Sequence, residues 1–115
     1  MGCELELTRK ACKGSTYFIK IRVKDEYNTL VSPQTLKWTL KDSDGDLVNN
    51  RNKVVVSNPE EENVVSLYGN DLAIDDTIRS TERVFIAEGT YISRHMSNAP
   101  FRAVTRFDLI NPDHE

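Results

Sequence analysis

Tyr17, Ile19, Ile21 and Val23 alternate with Phe18, Lys20, Arg22 and Lys24. Successive side chains of an extended strand point to opposite sides, so this stretch has one apolar face and one basic face. On a helix the same residues would scatter around the axis and leave no apolar stripe. The segment is therefore expected to be a half-buried strand. The same period returns along the chain. Leu36, Trp38 and Leu40 alternate with Lys37, Thr39 and Lys41, which puts Trp38 on an inner face. Phe101, Ala103, Thr105, Phe107 and Leu109 share one face of a last strand running to Ile110. Shorter apolar runs mark further strands at Leu5–Leu7, Val54–Val56 and Val64–Leu67, and Leu47–Val48 resumes the chain beyond the Asp42–Asp46 turn. Arg83 to Ser93 is expected to be one long strand, with a bulge or bend at Gly89. No segment keeps a helical period over ten residues.

The punctuation between these runs agrees with them. Asp25-Glu26-Tyr27-Asn28, Ser32-Pro33 and Asn58-Pro59 mark turns and loops. Asp42-Ser43-Asp44-Gly45-Asp46 is the strongest signal, because Asp-Gly supports the positive φ of a tight hairpin. Tyr68 to Leu72 is expected to be a turn or a single helical turn, with Leu72 and Ile74 tucked inward. Turn signals every eight to twelve residues separate about seven or eight strands, the spacing of an all-β sandwich. With 115 residues the chain suits one domain, residues 1–115, that can bury a core without disulfide or metal staples.

An inward Trp on the third strand, followed by a Ser-Asp-Gly hairpin, resembles the immunoglobulin-like antiparallel sandwich. The disulfide of antibody domains has no counterpart. A longer series is more particular: Lys13-Gly14-Ser15-Thr16-Tyr17, Pro33 through Trp38-Thr39-Leu40, Asp44-Gly45, Leu72-Ala73-Ile74 and Glu88-Gly89-Thr90-Tyr91. In order and spacing it resembles small Ig-like virion proteins of tailed bacteriophages and prophages, over roughly residues 8–110. The resemblance implies a non-enzymatic structural or accessory protein of the particle, in capsid decoration, neck or tail. Its implied partners are other virion proteins and copies of itself.

The residues themselves suggest little chemistry. His95 and His114 stand in no ligand or catalytic spacing, and no phosphate, dinucleotide or nucleophile-elbow motif occurs. Asp42, Asp44 and Asp46 alternate like calcium ligands, but Gly45 falls at the fourth position and no Glu stands at the twelfth. A plain hairpin is the expectation there, with no metal and no cofactor. Cys3 and Cys12 form no ligand pattern and are expected to be reduced thiols. The N-terminal residues lack the apolar stretch of a signal peptide. That points to a cytosolic protein, or one carried into a particle assembled in the cytosol, which the resemblance makes the bacterial host's cytoplasm and the virion. No apolar run is long enough for a membrane helix.

Charge is uneven. Residues 1–53 carry +3 and residues 54–115 carry −6, for a net −3. Nucleic-acid binding calls for a basic domain and is not expected. A polarised surface suits docking between proteins. The candidate contact residues are the basic stripe Lys20, Arg22 and Lys24, and the turn-adjacent Tyr27, Tyr68 and Met96. A different class of function, a carbohydrate- or surface-binding sandwich, would use exposed loop aromatics instead.

Overall fold

The computed structural model describes residues 2–7, 10–75 and 77–112, with side chains from residue 4 onward. Its strands, in chain order, are β1 (Gly2–Glu6), β2 (Lys10–Cys12), β3 (Tyr17–Lys24), β4 (Leu30–Val31), β5 (Thr35–Asp42), β6 (Val54–Val55), β7 (Glu62–Leu67), β8 (Ser80–Tyr91) and β9 (Ala99–Ile110). One 3-10 turn, Gly69–Leu72, follows β7.

The strands form two sheets. In the smaller, β3 is central: β1 lies antiparallel on one side, and β7 and β4 share the other. The larger has the order β2-β9-β8-β5-β6. Its centre is the β8–β9 hairpin, paired without interruption from Ser80↔Ile110 to Tyr91↔Ala99. The N-terminal segment is divided between the sheets, since β1 pairs with β3 and β2 runs parallel to the end of β9. That parallel pair departs from the all-antiparallel pairing expected from the sequence.

Alternation does what the sequence implies. Tyr17, Ile19, Ile21 and Val23 from β3 meet Leu36, Trp38 and Leu40 from β5 in one core. Phe85 and Ala87 from β8, and Phe101, Phe107 and Leu109 from β9, complete it. Trp38 stacks on Phe85 at 5.7 Å between ring centroids, and Tyr17 meets Phe107 at 4.6 Å. Such pairs add packing beyond simple area burial. Leu72 is fully buried and Ile74 half-buried, closing the core below the 3-10 turn.

The turns follow their chemistry. In the β5 hairpin Asp42 Oδ1 accepts the backbone N–H groups of Asp44 and Asp46, and Gly45 sits at φ 89°. Asp25 holds the next turn in the same way, through the amides of Tyr27 and Thr29. Leu47 makes only an isolated bridge to Lys41, so no strand forms at Leu47–Val48. Cys12 is an exposed free thiol, whereas the Cys3 side chain and His114 lie outside the described residues.

Gly89 is not a bulge. Pairing runs in register through it, with Leu36 on one side and Phe101 on the other. Its role is close approach. A Cβ there would stand 2.0 Å from the Thr35 carbonyl oxygen and 2.9 Å from the Phe101 ring. The first is backbone in a paired strand and does not move aside. Gly89→Ala is therefore expected to destabilise the fold by about 1–3 kcal/mol, the usual cost of overpacking. Denaturant unfolding checks this; a midpoint equal to wild type would contradict it.

Pro100 is placed by the same ladder. Asn111 N–H bonds to Arg79 O, so odd-numbered β9 residues bond to β8 and even-numbered ones face the other edge. Proline's missing N–H thus faces the side where, among the described residues, no strand pairs with 99–107.

Candidate interaction surface

The outer face of the smaller sheet carries Lys20, Arg22 and Lys24, as expected. It also carries their counter-charges. Register sets Glu4 beside Arg22 and Glu6 beside Lys20 on β1, and Glu62 beside Arg22 on β7. Arg22 bonds Glu6 at 2.6 Å and Glu62 at 3.1 Å; Lys24 bonds Glu4 at 3.0 Å; Lys20 lies 3.7 Å from Glu62. The Glu6 carboxyl is held below its ordinary range, first by its hydrogen bond from Arg22 and then by the charges of Arg22 and Lys20. Three cations thus face three carboxylates, and the stripe projects no net charge. Arg22→Glu should set like charges side by side across both neighbours. We expect melting a few degrees lower at low salt, with the gap closing as salt screens the repulsion. A gap independent of salt would show that the ladder is not electrostatic.

Tyr27, Tyr68 and Met96 are all exposed, but they do not form one patch. Tyr27 follows the end of β3 at Lys24, whereas Tyr68 follows Leu67, which pairs with Tyr17 at the opposite end of β3. The Arg94 guanidinium covers the Tyr27 ring at 4.5 Å. Glu26 fastens the same two loops together, accepting from the Ser93 hydroxyl and the Arg94 amide. The two exposed tyrosines therefore make no shared stacking platform for a sugar.

A surplus of positive charge lies on the other sheet. One cross-strand row on its outer face reads Val55, Lys37, Glu88, Arg102. Lys37, Arg102 and the nearby Lys53 line a shallow depression of about 550 Å³, together with Thr35, Thr90 and Pro100. Among the described residues no carboxylate stands within ion-pairing distance of these three cations. Glu88 is the one acid in the lining. The Thr35 and Thr90 hydroxyls are 3.0 Å apart and bond to each other. Val104 and Val55 are exposed on the same face, 50% and 66%, giving it apolar as well as cationic character.

Lys53 reaches this face from a strained loop. Asn49, Asn50 and Lys53 all have φ between 51° and 55°. Asparagine tolerates that region, but lysine does so at a cost. Two anchors hold the loop. The Lys53 amide bonds to Thr39 Oγ1, and the fully buried Asp71 accepts from Asn49 Nδ2 at 3.0 Å and Arg51 Nε at 2.7 Å. Burial works against charge on Asp71. The bonds from Arg51, Asn49 and the Tyr68 amide outweigh it and hold the carboxyl below its ordinary range. Arg51 in turn lies over the Trp38 ring at 5.6 Å. The core, the buried acid and the loop thus fix where Lys53 emerges.

No protein-family profile, curated protein or solved structure matches this chain.

Proposed function

We propose that the chain is an immunoglobulin-like β-sandwich serving as a non-enzymatic structural or accessory component of a tailed-phage particle. Two features support the fold assignment. The N-terminal segment divides between the sheets, β1 beside β3 and β2 parallel to β9, and Trp38 on β5 is packed in the core between them. The series of short motifs from Lys13 to Tyr91 supports the phage assignment. The observation that carries an interaction role is the larger sheet's outer face, where Lys37, Lys53 and Arg102 outnumber the single acid among them, Glu88, beside exposed valines. Unneutralised charge on a broad face steers and orients a protein partner. In this reading the partners are capsid, neck or tail proteins, met in the bacterial cytoplasm and retained in the virion.

The test is to purify particles from the strain encoding this chain through a density gradient and quantify it in each fraction by mass spectrometry. The expected result is a fixed stoichiometric ratio to the major particle proteins. Recovery only in the soluble fractions would contradict the proposal.

A further inference from the structure

The chain carries the complement of its own cationic depression. The loop between β6 and β7 holds Glu60 and Glu61, both exposed, and among the described residues neither has an ion-pair partner. Glu62, next in sequence, is instead spent on Arg22 and Lys20. The loop is preformed: Asn63 Oδ1 accepts from the Glu60 amide at 2.8 Å, and Asn63 Nδ2 donates to the Glu60 carbonyl at 2.7 Å. That clamp leaves both acidic side chains projecting at low ordering cost. Glu60, but not Glu61, also lines a second shallow concavity, with Val56, Ser57, Asn58, Glu62, Asn63 and Val64. Positive and negative sites thus coexist on one chain, and no ion pair joins them within it.

We propose that the occupant of the Lys37–Lys53–Arg102 depression is the Glu60–Glu61 loop of a second copy. This rests on the reading of that face as an interaction surface and names its partner. Charge complementarity selects the arrangement. Bringing this face against itself would set one surplus of Lys37, Lys53 and Arg102 over Glu88 against the same surplus. Bringing it against the loop of another copy sets that surplus against the exposed Glu60 and Glu61 carboxylates. One such contact leaves the joined pair one free depression and one free loop, which either meet each other in a two-fold dimer or extend the contact into a row or ring.

The test uses the full chain in sedimentation equilibrium, with two surface variants. One is Lys37→Glu with Arg102→Glu; the other is Glu60→Lys with Glu61→Lys. All four positions are exposed, and circular dichroism melts verify folding. Wild type is expected to self-associate at about 20 mM salt and to weaken at least roughly tenfold by about 500 mM, where surface charge is screened. Each variant alone should lose association at low salt, because its two sites then carry the same sign. An equimolar mixture should regain it, because each reversed site meets its complement on the other variant. A wild type that stays monomeric up to about 1 mM at low salt overturns the proposal. So does association that survives both reversals, or a mixture that fails to restore it. Recovery of the chain in particles is a separate readout, so a monomeric protein that still enters particles would refute only the contact between copies.

Discussion

Trp38→Ala is expected to cost about 3–5 kcal/mol, the range for truncating a large core aromatic. Trp38 is 6% exposed, stacks on Phe85 and carries the Arg51 guanidinium over its other surroundings. Truncation therefore leaves a void between the sheets and removes a contact that helps hold the 49–53 loop. A domain of this size has about 5–15 kcal/mol in total, so the loss is a large share of it. Urea unfolding followed by far-ultraviolet circular dichroism measures it. A midpoint close to wild type would mean that Trp38 is not the core anchor described.

The second large effect is at Asp71. Asp71→Ala is expected to cost about 3 kcal/mol, since it strands Arg51, Asn49 and the Tyr68 amide around an emptied site. Its pH dependence has a definite sign. The folded state holds this carboxyl below its unfolded value, so the charged form contributes stability above about pH 4. That contribution is lost as pH falls through the folded value. The stability gap between wild type and Asp71→Asn should therefore be full at pH 7 and narrow in acid. A gap of constant size down to pH 2–3 would show that the Asp71 charge contributes nothing.

The long strands were legible because eight to twelve residues leave room for a period. β3, β5 and β9 bury the residues their alternation selects. β2 and β4 have three and two residues, too few to show any period, and β2 is defined by pairing with a strand almost a hundred positions away. The bulge expected at Gly89 is absent for a related reason. Sequence marks that a side chain is missing, but only the neighbouring strands show whether the space holds a bulge or another residue's backbone.

Electrostatics was least legible. Lys20, Arg22 and Lys24 are conspicuous in one run, yet Glu4, Glu6 and Glu62, which neutralise them, arrive by register from two other strands. Lys37, Lys53 and Arg102 are scattered in sequence and gather only through the strand order β9-β8-β5-β6. Asp71 sits in an ordinary turn motif, and its side-chain partners Asn49 and Arg51 come from a loop some twenty residues earlier.

In the particle role proposed above, the larger sheet's outer face, not the basic stripe of the smaller sheet, makes the attachment. Two variants separate the faces: Lys37→Glu with Arg102→Glu, and Lys20→Glu with Arg22→Glu and Lys24→Glu. The measurement is the copy number of each folded variant in gradient-purified particles, relative to wild type. The predicted result is loss of the first from particles and retention of the second. Retention of the first with loss of the second would contradict the claim.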